Sequence, residues 1–519
     1  MNITRREFIK FAGVAAGAAT LSNCQSVLGL PAIHIKHASP NILFIMTDDM
    51  DSRSLAYMPR VQQYLEAEGV YMTDYFVTLP LCCPSRASIL TGQFAHNSEI
   101  KSNSGPLGGF RTFYSTGLEE RTIAVNLQRA GYRTALLGKY LNGYPTDVVK
   151  QTYVPPGWNY WYSPVGGDPY FNQNYKLNEQ GEIIHYKNKP EDYLTDVLAD
   201  KADRFIQGSI NKDQPFFAYI ATYAPHGPIT PAPRHAGMFK GETVPRTPSF
   251  NESDVSDKPQ YVNSLAPLTP DEERDIDNQF QGRLQMLQAV DEMVEALILN
   301  LQAAGQLENT YIFFTSDNGF HMGQHRLRPG KATPYEEDIR VPFLARGPGL
   351  PAAQKRRALT GNVDLAATFA DIAGLGHSKH FDGRSLLPAM SEGTPPSEWR
   401  EAYLIEHYIS KSEAFDDYNK EDLPDKDILL DPDNPQQSGA YRPAFKGLRT
   451  NESLYVEYNT GERELYNLTN DPYQIDNLAN STAPQYLEEF SAWLKRVSSA
   501  RGKAYLQIEE MPDKLREPE

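Results

Sequence analysis

Three sets of residues in this chain could do chemistry. The first is Leu81-Cys82-Cys83-Pro84-Ser85-Arg86-Ala87-Ser88-Ile89-Leu90-Thr91-Gly92. Its proline suits a first helical position and its Thr-Gly suits a helix end, which predicts a loop that ends in two cysteines and runs into a short helix. The helix N-terminus would turn backbone N–H groups and a positive dipole end toward Cys82 and Cys83. That setting lowers a thiol pKa and favours an anion nearby, and Arg86 adds a permanent charge with a planar donor fork. A buried structural cysteine pair accounts for these residues equally well.

The second set is made of oxygen donors. Pro40-Asn41-Ile42-Leu43-Phe44-Ile45-Met46-Thr47 is a continuous apolar run ending in Asp48-Asp49, the pattern of a buried strand in a parallel sheet. Ligands bind outside the carboxyl ends of such strands, and two adjacent carboxylates repel unless a cation lies between them. Thr310 to Ser316 repeats the pattern and ends in Asp317-Asn318-Gly319. If the two strands are neighbours, Asp48, Asp49, Asp317 and Asn318 make an all-oxygen site for Ca²⁺ or Mg²⁺. Taken alone, Asp-Asp reads as a solvated turn.

The third set consists of single charged or imidazole side chains after predicted strands. Lys139 follows the strand Tyr132 to Leu137, and His226 follows Pro215 to Ala221 in a loop flanked by prolines, which predicts a held but solvent-accessible ring. His321 and Lys331 lie in the loop after Asp317-Asn318. Each reads by itself as an ordinary surface residue.

The elements between them alternate. Helices are predicted from Met58 to Val70, Glu119 to Gly131, Asp196 to Ile210 and Asp277 to Ala304, the last with Leu287, Val290, Met293, Val294 and Leu297 as a packing stripe. Residues Gly241 to about Asp275 are polar and proline-rich, an expected insertion over the site. From about Gly393, short alternating runs (Tyr403 to His407, Lys446 to Thr450, Tyr455 to Tyr458, Glu464 to Leu468) predict a small antiparallel sheet, followed by a helix near Pro484 to Ala500.

At 519 residues the chain is long enough for a large core and a second, smaller unit. Hydrophobic residues at 40% and charged residues at 22% describe a globular protein, and a formal charge of −16 argues against nucleic acid as a partner. Cys24, Cys82 and Cys83 are the only cysteines, so there is no disulfide framework, and no cluster has zinc-ligand spacing.

The first residues read as a targeting segment. Thr4-Arg5-Arg6-Glu7-Phe8-Ile9-Lys10 resembles the twin-arginine export signal and precedes an Ala- and Gly-rich apolar stretch, Phe11 to Leu21, too short for a membrane span. Leu21-Ser22-Asn23-Cys24 resembles a bacterial lipoprotein box, with Asn23 in place of the usual small residue. Cys24 is therefore a candidate lipidation site, and a lipid anchor would be the only membrane attachment. The chain is expected to be exported to the periplasm or cell surface, with the twin-arginine machinery as a partner. Residues 1–39 are read as export signal and linker, 40–392 as the catalytic domain and 393–519 as a C-terminal subdomain.

Several motifs together resemble the type I, formylglycine-dependent sulfatases. Cys82, Pro84, Ser85, Arg86, Leu90, Thr91 and Gly92 meet every fixed position of that family's signature. Gly138-Lys139, Ala224-Pro225-His226, Asp317-Asn318-Gly319, the loop ending in Lys331, Asp382-Gly383-Arg384-Ser385-Leu386-Leu387-Pro388 and Leu465-Tyr466-Asn467-Leu468 match further elements. Leu141 departs from the family, which often carries His there. Gly138-Lys139-Tyr140-Leu141-Asn142 and Leu81-Cys82-Cys83 resemble the N-acetylglucosamine-6-sulfatase and heparan 6-O-sulfatase branch most closely.

The resemblance implies an alkaline-phosphatase-like α/β fold with a mainly parallel central sheet and a smaller C-terminal antiparallel sheet. It implies one calcium ion on Asp48, Asp49, Asp317 and Asn318. It implies oxidation of Cys82, rather than Cys83, to formylglycine (3-oxoalanine) by a separate maturation enzyme. Catalytic roles fall to Cys82, Arg86, Lys139, His226 and Lys331, and sugar contacts are expected from Asn142, His321 and His407. The reaction implied is hydrolysis of a carbohydrate sulfate ester, with 6-O-sulfated N-acetylglucosamine as the expected substrate. A phosphonate or phosphate monoester hydrolase on the same fold, a sulfated-glycan-binding protein without turnover and a structural lipid-anchored protein are the alternatives.

Overall fold

The strand sequences decide the architecture, because several are apolar at every position and can only be buried on both faces. We describe a computed structural model covering residues 39–146, 148–391, 399–408 and 442–516. The export segment, Cys24 and the expected boundary between residues 392 and 393 lie outside the described residues. Strands β1 (Asn41–Thr47), β2 (Val70–Met72), β3 (Tyr75–Phe76), β4 (Arg133–Gly138) and β5 (Tyr160–Gly167) come first. β6 (Tyr175–Glu179), β7 (Glu182–His185), β8 (Phe216–Ala221), β9 (Thr310–Ser316), β10 (Phe343–Arg346), β11 (Gln354–Arg356) and β12 (Thr360–Gly361) follow.

β3 and β12 pair with each other; the rest form one ten-stranded sheet in the order β11-β2-β10-β9-β1-β8-β4-β5-β6-β7. Its centre, β9-β1-β8-β4-β5, is parallel, and antiparallel pairs flank it. The β1/β9 register sets Thr47 opposite Ser316, so Asp48 and Asp317 leave the sheet side by side. β8 lies on the other side of β1, with Met46 opposite Ala221. Four site-bearing loops therefore emerge at the carboxyl ends of adjacent strands.

Side chains alternate between two cores. Ile42, Phe44 and Met46 join Phe217, Tyr219 and Phe313 under helices α1 (Cys82–Thr91), α2 (Ile123–Arg129) and α5 (Leu365–Ile372). Leu43 and Ile45 join Ala218, Ile220 and Phe314 under α3 (Leu194–Ile210) and α4 (Pro270–Ala303). The expected stripe of Leu287, Val290, Met293, Val294 and Leu297 is on the buried side of α4. At the C-terminal end, β13 (Tyr403–His407), β14 (Phe445–Arg449), β15 (Ser453–Tyr458) and β16 (Arg463–Asn467) form an antiparallel sheet in that order. Helix α6 (Pro484–Val497) covers it, with Phe490 stacked on Tyr455 at 5.0 Å.

Three expectations need correction. The helix expected over Met58 to Val70 ends at Glu66, its last turn a π-helix, and Val70 already belongs to β2. α4 starts at Pro270, seven residues before Asp277, so the polar insertion ends earlier than Asp275. Thr269 and Glu272 form a reciprocal capping box there, with Pro270 in the first turn. α1 begins at Cys82 itself rather than at Pro84. Proline is tolerated in that first turn because its missing N–H would have had no intrahelical partner.

Candidate active site

Cys82 occupies the first turn of α1 and is fully buried. Its Sγ lies 2.9 Å from Lys331 Nζ, 3.3 Å from Asp48 Oδ1 and 3.9 Å from Asp49 Oδ1. Cys83, one residue on, turns into the apolar core beside Ala87, and its N–H donates to Asn103 Oδ1 at 2.9 Å. The two thiols thus occupy different environments, a polar centre and a hydrophobic layer.

The acidic loops and the basic side chains interlock around Cys82. Lys139 Nζ donates to Asp48 Oδ2 at 2.7 Å, and Lys331 Nζ to Asp49 Oδ1 at 2.6 Å. Arg86 donates to Asp317 Oδ2 at 2.8 Å and to the Lys139 carbonyl at 2.9 Å, with Asp48 Oδ2 3.7 Å away. His226 Nε2 approaches Asp49 Oδ2 at 3.5 Å. His226 is only 4% exposed, which corrects the accessible ring expected from its loop. Its Nδ1 faces the Gly227 carbonyl, an acceptor, so Nδ1 carries a proton, and Nε2 points to the acidic cluster. Tyr170 packs against the imidazole at 4.8 Å and lies 5.1 Å from Lys139 Nζ.

Charge density sets the protonation states. Burial alone would raise the Asp48 carboxyl, but Lys139, His226, Arg86 and Lys331 outweigh it and hold the group well below the usual carboxylate range. Asp317 moves the other way, up to about 6, first through burial and then through the Asp48 charge, with Arg86 and Lys139 opposing. Burial disfavours the Lys139 ammonium, yet Asp48 keeps it charged far beyond neutral pH.

The donor set fits a hard cation. Asp48, Asp49, Cys82 and His226 each present a ligand atom within 4.8 Å of the others. Asn318 Nδ2 donates to Asp49 Oδ1 at 2.7 Å, while its buried Oδ1 has no hydrogen-bond partner among the described residues. A buried amide oxygen left bare beside three carboxylates is what an oxygen-binding cation would satisfy.

Of the expected sugar contacts, Asn142 lies near Lys139, where both line a small pocket with Tyr140, Ser163, Pro164 and Tyr170. His321 is oriented by Asp338, 3.0 Å from Nδ1, and its Nε2 lies 3.3 Å from Arg442. His407, on β13, is buried with its pKa pushed down to about 3, first by burial and then by Arg442. Sequence reasoning missed Asn103, Tyr170, Arg283, Asp338 and Arg442. Of these, Asp338 lies closest to a matched element, seven residues beyond Lys331.

Comparison with known proteins bears on this site directly. The sequence model of the sulfatase family matches residues 40–375, a span that holds Cys82, the acidic cluster and the basic side chains around it. The N-acetylglucosamine-6-sulfatase of Homo sapiens is 35% identical over 93% of this chain and 88% of its own. The extracellular sulfatase SULF-1 homolog of Drosophila melanogaster is 38% identical over 71% of this chain and a third (33%) of its own. Among solved structures, a protein in complex with its substrate D-glucosamine-2-N,6-O-disulfate superposes with a TM-score of 0.71 at 24% identity, over 91% of this chain and 100% of that one. A phosphonate monoester hydrolase of Agrobacterium radiobacter superposes at 0.64 with 20% identity, over 90% of this chain and 96% of that one, so the fold by itself does not separate the two reactions. Identity above 30% along most of the length does separate them: the chain belongs to the sulfatase family, enzymes that hydrolyse sulfuric esters.

Proposed function

We propose that this sulfatase is calcium-dependent, uses formylglycine generated at Cys82 by a maturation enzyme, and removes the 6-O-sulfate of N-acetylglucosamine in glycans or their fragments. One observation carries the chemistry. Cys82 Sγ, which marks where the oxygens of the oxidised residue would stand, is in contact with Lys331 and with the acidic cluster at once. Asp48, Asp49, Asp317 and Asn318 would hold the calcium ion, which supplies Lewis-acid polarisation of bound oxygens. As an aldehyde hydrate, residue 82 supplies one hydroxyl to attack sulfur and a second to clear the sulfate ester.

The remaining side chains bind charge and move a proton. Lys139 and Lys331 would neutralise sulfate oxygens as negative charge builds. Arg86, bonded to Asp317 and to the Lys139 carbonyl, acts by fixing those two groups. The proton for the departing sugar oxygen would come from Nε2 of a doubly protonated His226 ring or from Lys331 Nζ. Asn142, His321 and His407 would contact the sugar. On this reading residues 40–392 carry catalysis, and the C-terminal subdomain contributes His407 to the sugar pocket. The names of the relatives support the 6-O-sulfated amino sugar and, with the twin-arginine-like start, an exported enzyme. No helix among the described residues is long and apolar enough to cross a membrane; Cys24 remains the proposed lipid attachment.

The test is release of sulfate from N-acetylglucosamine carrying 6-O-, 4-O- or 3-O-sulfate, with an aryl phosphate as a fourth arm. We expect the 6-O isomer to lead by at least about tenfold in kcat/KM, roughly 1.4 kcal/mol of transition-state binding. Cys82→Ala should abolish turnover, and the mass of the peptide should show the aldehyde at residue 82. A lead for a ring-position isomer would overturn the substrate; full activity in Cys82→Ala would overturn the nucleophile.

A further inference from the structure

We infer that Arg283, on the long helix α4, is a positioning residue that ties together the three loops bearing the acidic cluster and His226. It sits in the core-facing stretch of a helix whose other buried residues are mostly apolar, and it is 2% exposed. Its guanidinium spans two loops. One terminal nitrogen donates to the Asp49 carbonyl after β1, and the other donates to the Pro225 carbonyl after β8 at 3.2 Å. Pro225 directly precedes His226. The plane of the group lies over the ring of Phe320, 4.2 Å from its centroid, in the loop that follows Asp317 and Asn318.

Two features show that this placement is not incidental packing. Arg283 Nε is buried with no hydrogen-bond partner among the described residues. An arginine kept buried at such a cost is retained for the bonds it does make. Asp49 also has φ 66, a left-handed conformation that aspartate visits more readily than most residues with a Cβ but that still costs strain unless its surroundings hold it. The Arg283 bond to its carbonyl is such a hold. The helix is moreover shaped for the approach: Gly282, beside Arg283, leaves room where a Cβ would fall 2.1 Å from Ile229 of the His226 loop. Glycine is unfavourable inside a helix, so a close contact explains its presence there.

Arg283 therefore sets the distance between Asp49, His226 and the Asp317-Asn318 turn without contacting a substrate. The inference rests on the cation reading of the acidic cluster. It is tested on the full-length protein by calorimetric titration with Ca²⁺, alongside kcat, KM and circular dichroism. Arg283→Met should weaken Ca²⁺ binding at least tenfold and lower kcat with KM changed less than threefold. Arg283→Lys keeps the charge but cannot span both carbonyls; it should recover part of the affinity and remain three- to tenfold weaker than wild type. Arg274→Met, on an exposed turn of the same helix, should change neither. If Arg283→Met fails to fold, Arg283→Lys carries the test. Ca²⁺ affinity within twofold of wild type in a folded Arg283 variant overturns the inference. No Ca²⁺ binding by the wild type overturns the cation reading, and the inference falls with it.

Discussion

Glu119 gives a pH dependence that can be worked from the structure. It is 4% exposed and accepts from Tyr153 at 2.7 Å and from Tyr140, the neighbour of Lys139, at 3.3 Å. Burial pushes its carboxyl from 4.5 up to about 7, while the two tyrosine bonds pull weakly the other way. The folded chain thus binds a proton at Glu119 more tightly than the unfolded chain. The associated stability is complete below pH 4.5 and is lost as the pH rises through 7. A change from 4.5 to about 7 corresponds to about 3 kcal/mol. Glu119→Gln keeps the size and neutrality of the protonated form and removes the titration. Denaturant unfolding of both proteins, at fixed calcium, should give similar stability at pH 4.5 and a variant more stable by up to about 3 kcal/mol at pH 8. Other titrating groups cancel in the difference. Parallel stability curves from pH 4.5 to 8 would refute the argument, because an ionised Glu119 would then be tolerated at no cost.

Asp317→Asn should weaken Ca²⁺ binding by titration while costing little unfolding free energy at pH 8 under chelation, because burial and Asp48 already hold this carboxyl up at about 6. Wild-type Ca²⁺ affinity in this variant would count against the acidic cluster as the cation site. Cys83→Ala should keep most sulfate release, since its thiol faces the core, and a loss as deep as that of Cys82→Ala would show that the assignment between the two is wrong. Arg400→Met strips the two bonds, 2.8 and 2.6 Å, that Arg400 makes to buried Asp364; it should cost about 3–5 kcal/mol while leaving KM near wild type. A steady-state assay and a melting curve on the same preparation separate the two effects.

What was legible in the chain was local or periodic. Apolar runs at Asn41–Thr47 and Thr310–Ser316 announced buried strands, and the polar residues after them announced a sheet edge. The Cys82 signature pointed to one thiol out of two. The start of α4 was also written in Thr269-Pro270-x-Glu272, although the following acidic residues resembled the insertion before them. Arg283 was not legible, because a helix stripe gives no sign of which loops will face it. Arg442 and His321 meet across 121 residues of sequence, a pairing that only the tertiary structure supplies. The burial of His226 was hidden for the same reason: its covering partner, Tyr170, is a tyrosine in a turn with no motif around it.

The burial of Cys82 fixes a timetable. In the finished fold no surface of this side chain is open, and Lys331, one of the groups packed on its sulfur, lies 249 residues further along. At a synthesis rate of about 5–20 residues per second, that lysine leaves the ribosome some ~12–50 s after the cysteine. The oxidation proposed at Cys82 has to be finished by an enzyme that meets the segment as open chain, within that interval or before the loop docks. A variant that folds faster would then be expected to carry more unconverted thiol, a link between folding rate and specific activity that owes nothing to the chemistry of the site.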